Sequence, residues 1–343
     1  MSHPGNGLRP ERIPAGIVGA GLMGTSIAAC LVSAGHPVVA VERDERKRRA
    51  APGRLKELLR ESRREGLLKG KTEAAAARYS IAGDTAALKS CRLVFEAIVE
   101  DVDAKRRVIR DVEDVVVRTA LIGSNTSAIP ITHLQSGARH PERVLGVHWG
   151  EPAHINRFME IICGERTRPV YARRIGALAR LWGKEHSILQ RDIRGFITNR
   201  VMYAMIREAC HIVESGVATV ADVDRSLRND LGYWLTFAGP FRFMDLTGIP
   251  AYAAVMRDLL PELSASTQVP AMMTRDDDQG GRLRGSRSFQ RERVSSLHAG
   301  AGAAVGETFP PVHLRDPRSR DAISRRCGRS LYSTPYFRKT SRR

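Results

Sequence analysis

Between Ile17 and Glu42 the chain reads I-V-G-A-G-L-M-G-T-S-I-A-A-C-L-V-S-A-G-H-P-V-V-A-V-E: an apolar strand, a glycine turn, an apolar helix, and a second strand closed by an acid. Gly19, Gly21 and Gly24 have the spacing G-x-G-x-x-G, and the acid follows about 20 residues on, the order of a dinucleotide-binding βαβ unit. Gly19 permits the sharp turn, Gly21 lets a pyrophosphate approach the backbone, and Gly24 lets the helix pack closely on the strand. Free N–H groups and the positive dipole end of the helix, which opens with Leu22 and Met23, then face the phosphates. Glu42 is placed to accept hydrogen bonds from ribose hydroxyls, and its charge disfavours a 2′-phosphate. The expected cofactor is therefore NAD, held by Gly19, Gly21, Leu22, Met23, Gly24 and Glu42. The stretch 13–41 carries no formal charge, but its glycines and Pro37 break it too often for a membrane span.

The 343 residues are 42% hydrophobic, enough for two domains with a sizeable core. Five cysteines are scattered without C-x-x-C spacing, which argues against a disulfide framework and a zinc site. The first residues show no apolar signal-like run, so a reducing cytoplasm is the expected compartment. The net charge is +18, and about half of the excess lies beyond Thr274. With no nucleic-acid-binding motif to accompany it, that charge predicts no specific nucleic acid partner.

Taken in order, residues 1–12 read as a flexible leader and residues 13–193 as alternating strands and helices. The strands fall at 38–41, 79–81, 93–98, 121–124, 144–148, 158–163 and 187–189. A strongly basic helix at 44–64 carries Leu55, Leu58 and Leu59 at helical spacing. Residues 194–273 change to helical periodicity, with helices at 197–215, 219–228 and 241–260 punctuated by Gly216, Gly232 and Gly239-Pro240. Residues 274–343, rich in Arg, Ser and Gly, read as a disordered or non-native basic tail. The predicted fold class is α/β: a Rossmann-like doubly wound sheet followed by a smaller all-helical domain.

Four polar residues lie at ends of these elements: Ser127, His148, Glu160 and Asn199. Ser127 follows a strand in S-N-T-S-A-I-P-I, at the sheet edge where ligands of open α/β sheets gather. His148 ends the strand V-L-G-V-H, and Glu160 sits in the apolar run F-M-E-I-I, where a charge needs a partner. The pair suggests a base and its orienter, with the carboxylate holding Nδ1–H and Nε2 facing a substrate hydroxyl. His154 lies nearby, but a His-x5-His spacing matches no common metal pattern.

These residues carry a resemblance. Over residues 13–272 the chain resembles the 3-hydroxyacyl-CoA dehydrogenase family, through G-A-G-L-M-G (19–24), F-E-A-I-V-E (95–100), S-N-T-S (124–127), His148–Pro152, M-E-I (159–161), G-F-I-T-N-R (195–200) and G-P-F-x-x-M-D-L-T-G (239–248). The resemblance implies His148 as catalytic base and Glu160 as its partner. It implies that Ser127 and Asn199 hydrogen-bond the reacting oxygen or hold the acyl group, with Ser127 also near the cofactor. Glu100 and Lys105 would border the cofactor and the pantetheine side. It further implies hydride transfer to NAD from a 3-hydroxyacyl-CoA, without a metal, and homodimer formation through the helical domain. Two departures stand out. Where the family usually has H-F-F-N-P, this chain has His148-Trp149-Gly150-Glu151-Pro152. The acid Glu151 leaves a small free hydroxy acid open as the alternative substrate, and Gly150 in place of an aromatic predicts a larger site. The tail also departs from the family's usual ending, and a non-catalytic binding protein on the same scaffold is the remaining alternative.

Overall fold

Residues 8–274 are described by the computed structural model; the tail expected at 274–343, apart from Thr274, and the first seven residues of the leader lie outside them. Every residue of the first strand, β1 (Ala15–Val18), is buried, as a central strand covered on both faces must be. The other strands are β2 (Val38–Val41), β3 (Tyr79–Ala82), β4 (Leu93–Glu96), β5 (Leu121–Ser124), β6 (Val144–Trp149), β7 (Phe158–Ile162) and β8 (Glu185–Leu189). They form one sheet of order β3-β2-β1-β4-β5-β6-β7-β8. The first six strands are parallel; β7 runs antiparallel to β6, and β8 parallel to β7. The direction of winding reverses between β1 and β4, which opens a crevice at their carboxyl ends.

The helices of this unit are α1 (Leu22–Ser33), α2 (Glu45–Arg64), α3 (Thr72–Ala76), α4 (Val102–Val115), α5 (Ile131–Gln135) and α6 (Pro169–Leu181). Their starts are written locally. The Asp44 carboxylate accepts from Lys47 N at 2.9 Å and the Asp101 carboxylate from Ala104 N at 2.7 Å, each satisfying an orphan first-turn donor. Ala51, Leu55 and Leu59 are on the buried face of α2, while Arg46, Arg49, Arg60, Arg63 and Arg64 are exposed. Two cores result. One joins Ile27, Leu31, Leu55, Leu59, Ile175 and Leu178 with Phe95 and Trp149, so α1, α2 and α6 cover one face of the sheet. The other joins Ile109 and Val112 of α4 and Ile131 and Leu134 of α5 to Val18, Ile122 and Val144. In the described part of the leader, residues 8–12, Pro10–Arg12 forms a 3₁₀ turn and Leu8 packs against the first core.

By its contacts the chain divides after Met202, within α7 (Thr198–Glu214), nine residues beyond the sequence-based boundary. The second unit, from Tyr203, holds the rest of α7 with α8 (Val220–Asn229), α9 (Leu231–Leu235), α10 (Pro240–Thr247), α11 (Ile249–Leu259) and α12 (Ala271–Thr274). The single helix expected over 241–260 is two, because Gly248 adopts φ +109° between them. Gly232, read as punctuation, lies inside α9. Within this unit Trp234 stacks on Phe243 with centroids 4.2 Å apart. Large apolar side chains nevertheless stay exposed, including Tyr203 at 62% and Phe241 at 78%. Among the described residues no helix is long and apolar enough to cross a membrane.

Candidate active site

The glycine turn lies at the crevice. Gly19 has φ +96°, and a Cβ there would come within 2.6 Å of the Ala97 carbonyl just past β4. A Cβ on Gly24 would come within 1.8 Å of the Gly19 carbonyl, so only glycine lets α1 pack back on the turn. Gly21 differs: a Cβ there would meet nothing within 4 Å. Its bareness therefore keeps a cradle open in front of the α1 N-terminus, whose first turn carries no acid to neutralise the dipole. Leu22 is exposed beside this opening, and Met23 packs partly against the core. The Glu42 carboxylate ends β2 and reaches back to the turn, with Oε2 accepting from Ala20 N and Oε1 from Asp44 N, both at 3.0 Å. An open cradle at a helix N-terminus, flanked by a carboxylate, fits the pyrophosphate and ribose of NAD. Arg43, the neighbouring cation, pairs instead with Asp111 at 3.1 Å.

A second cluster lies where β6 and β7 pair. His148 and Glu160 are cross-strand partners, and His148 Nδ1 lies 3.1 Å from Glu160 Oε2. Nε2 has no hydrogen-bond partner among the described residues. The imidazole packs edge-on to Phe158, at 5.5 Å between centroids, and against Phe196 at 5.7 Å. Glu160 is 1% exposed. Its Oε1 accepts from Ile197 N at 3.1 Å and Thr198 N at 3.0 Å, the first donors of α7. Burial pushes the Glu160 carboxyl upward, but the bonds from His148, Thr198 and Ile197 outweigh it and hold the group below the usual carboxylate range. The turn that aims these N–H groups puts Gly195 at φ +79° and buried Phe196 at φ +53°, a conformation a bulky residue adopts only when its surroundings impose it.

Ser127 and Asn199 join this cluster. Asn199 Nδ2 donates to the Ser127 carbonyl at 2.8 Å, and α7, whose start Glu160 caps, is the helix that carries Asn199. Ser127 is exposed, and its backbone N donates to Glu100 Oε1 at 3.0 Å. Glu100 also accepts from Thr126 Oγ1 at 2.5 Å and Ala128 N at 3.2 Å. Burial acts to raise the Glu100 carboxyl, yet these bonds and the Lys105 ammonium leave it below the ordinary range. Lys105, which the resemblance places beside the cofactor and the pantetheine, has its side chain beneath the loop. It is 1% exposed, with Nζ 2.7 Å from Glu96 Oε1 and 3.3 Å from Glu100 Oε2. Sequence reasoning passed over Glu96, Ser124 and Thr126; Ser124 Oγ donates to Glu96 Oε2 at 2.5 Å, completing a buried network beneath the loop. Asn125 was also missed, although its Oδ1 accepts from Trp149 N at 3.0 Å, beside His148. Gly150 does not enlarge the site, because a Cβ there would meet the Asn156 side chain at 2.8 Å. Glu151 is exposed next to it. Among the described residues no group of His, Cys, Asp or Glu is arranged to hold a metal ion.

The family model described as 3-hydroxyacyl-CoA dehydrogenase, NAD binding domain, matches residues 14–193, and its C-terminal domain model matches residues 195–286. The chain belongs to the 3-hydroxyacyl-CoA dehydrogenase family. It is an NAD-dependent oxidoreductase of that type, and the C-terminal match runs into the stretch read from sequence as tail. The 5-formyl-3-hydroxy-2-methylpyridine 4-carboxylate 5-dehydrogenase of Mesorhizobium japonicum is 35% identical over 54% of this chain, a match spanning 60% of that protein's length. A probable 3-hydroxybutyryl-CoA dehydrogenase of Deinococcus radiodurans is 28% identical over 78% of this chain and 95% of its own. An L-carnitine dehydrogenase of Oceanobacillus iheyensis is 30% identical over 54% of this chain and 59% of its own. Among solved structures, a crystal structure of a 5-formyl-3-hydroxy-2-methylpyridine 4-carboxylic acid 5-dehydrogenase, described as an NAD+ dependent dismutase, superposes with a TM-score of 0.70 at 28% identity, covering 92% of this chain and 95% of that one.

Proposed function

We propose that this member of the 3-hydroxyacyl-CoA dehydrogenase family interconverts a 3-hydroxyacyl-CoA and its 3-ketoacyl-CoA, with His148 as the base. The observation that carries the reading is the 3.1 Å contact of His148 Nδ1 with Glu160 Oε2, which leaves Nε2 unpaired among the described residues. Glu160 holds the proton on Nδ1, so Nε2 presents a lone pair and can take the hydroxyl proton of a secondary alcohol. As the imidazole gains that proton, the adjacent carboxylate stabilises its positive charge. In the reverse direction Nε2–H protonates the developing alkoxide, and we assign the exposed Ser127 hydroxyl and the Asn199 amide as the donors that steady its charge. Bound NAD supplies the hydride acceptor. Gly19, Gly21, Leu22, Met23, Gly24 and Glu42 would hold it, while Glu100 and buried Lys105 would shape the loop beside it.

A second reading, oxidation of a small free hydroxy compound, has its own support. Glu151 sets an exposed carboxylate two residues beyond Trp149, the last residue of β6, and two of the relatives above are named for substrates without a thioester. Steady-state turnover of acetoacetyl-CoA against acetoacetate separates the two. The thioester reading expects kcat/KM at least about tenfold higher for the CoA compound, a difference of about 1.4 kcal/mol in transition-state binding; a preference for the free acid replaces it with the second reading. We also propose that two copies associate through the helical unit, a reading supported by exposed Tyr203 and Phe241. A reducing compartment is supported by Cys30, Cys91, Cys163 and Cys210, all unpaired.

A further inference from the structure

The strands of His148 and Glu160 are joined by one loop, residues 150–157. The last register pair before it is Trp149 with Met159, and beyond that only a long bond from Gly150 N to Phe158 O, 3.4 Å, continues the ladder. The loop therefore decides how the end of the ladder, where the pair sits, is closed.

Two buried polar groups hold it. Lys184, 5% exposed, enters from the turn between α6 and β8. Its Nζ donates to the Ala153 carbonyl at 2.5 Å and to the Asn156 carbonyl, and it sits 5.4 Å from the centroid of the Trp149 ring. No carboxylate pairs with it among the described residues. Burying an ammonium without a counter-ion is costly, and an apolar side chain would fill the space at lower cost. What an apolar residue lacks is donors for two loop carbonyls. His154, 4% exposed, is the other anchor. Its backbone N donates to Ser26 Oγ at 3.1 Å, its Nδ1 lies 2.9 Å from the same hydroxyl, and its Nε2 lies 2.8 Å from Glu61 Oε2. Because the Glu61 carboxylate can only accept, the hydrogen of the neutral imidazole sits on Nε2 facing it, and Nδ1 accepts the Ser26 hydroxyl proton. Ser26 belongs to α1, whose N-terminus faces the cofactor cradle, and Glu61 to α2. The loop is thus tied to the helix that seats the cofactor at one point and to the body of the sheet at another.

We propose that Lys184 and His154 are positioning residues for the reaction: they lock loop 150–157, so that the His148–Glu160 pair is held in register and in fixed relation to the cofactor helix. The proposal rests on the reading of His148 as base. The test is a double-mutant cycle in the full chain between Lys184→Met and His148→Ala, with Lys184→Arg as the conservative variant. Lys184→Met should keep NAD affinity within about twofold and lower kcat about 10- to 100-fold, the scale of a misplaced reacting group, and Lys184→Arg should recover most of the loss. With the base removed, Lys184→Met should cost nothing further, because residues that act as a unit are not additive. A kcat unchanged by Lys184→Met, or a loss that multiplies with that of His148→Ala, overturns the proposal while leaving the base assignment standing. Wild-type turnover in His148→Ala overturns both. Should Lys184→Met not fold, Ser26→Ala, which cuts the tie of His154 to α1 and leaves its bond to Glu61, carries the same cycle with the same outcomes.

Discussion

Replacing Glu160 by glutamine tests how one carboxylate serves two elements. Oε1 receives two backbone N–H groups at 3.1 and 3.0 Å, and Oε2 faces Nδ1 of His148 at 3.1 Å. Glutamine keeps one acceptor oxygen and gains a donor. Turned so that the oxygen meets His148, it points its NH2 at two N–H donors and leaves them unsatisfied in a buried site, at about 1–3 kcal/mol each. The preferred placement keeps the oxygen on Ile197 and Thr198 and turns the NH2 to Nδ1. Nδ1 must then accept, the imidazole proton moves to Nε2, and the lone pair needed to take a proton is gone. Losing a charge-assisted bond to the imidazolium, about 1.5–3 kcal/mol, together with the unfavourable tautomer, predicts a kcat lower by about two to four orders of magnitude. The fold should lose little, because the cap on α7 survives. NAD affinity should hold, because Glu160 makes no contact with residues 19–24 among its hydrogen bonds. Steady-state NADH absorbance at saturating NAD, with NAD binding followed by protein fluorescence, reads both quantities. A kcat within about threefold of wild type would refute the orienting role.

Gly21→Ala and Gly24→Ala should separate binding from folding. The first places a methyl where nothing lies within 4 Å and should raise the NAD Kd about tenfold or more at near-constant Tm; the second drives a Cβ to 1.8 Å from the Gly19 carbonyl and should lower Tm steeply, and equal Tm losses would contradict the cradle. Glu42→Ala should weaken NAD and narrow its preference over NADP, as seen by comparing both Kd values; unchanged values would remove Glu42 from the ribose. Burial lowers His36 and His154, so their folded forms bind protons less readily than the unfolded chain. Their stability contribution is therefore complete above about pH 6.5 and is lost as pH falls toward the folded values, with Glu100 and Glu160 adding a further loss below about pH 4.3. Urea unfolding across pH should show both steps, and a stability flat from neutrality to pH 5 would contradict the first.

The dinucleotide unit was legible because each of its constraints is local: Gly19 and Gly24 are forced by backbone clearance, Glu42 by the end of a strand. The His148–Glu160 contact was also within reach, since two strand segments separated by a short loop pair as a hairpin and put their ends in register. What the chain order could not convey is depth. Nothing in the order of residues marks Lys105 as buried, yet a carboxylate at the end of β4 draws it inside. Glu96, Ser124 and Thr126 form a network only once three segments converge. Gly150 looked like space until Asn156, six residues on, filled it. In the helical unit an apolar period persists across Gly248, although its positive φ breaks the helix.

Turnover and NAD affinity of His148→Ala, measured together, bear most directly on the assignment of the base. The assignment predicts a kcat lower by about two to four orders of magnitude at an NAD Kd within about twofold of wild type. Turnover near the wild-type level at intact NAD binding would contradict it and send the search for the proton acceptor elsewhere in the crevice.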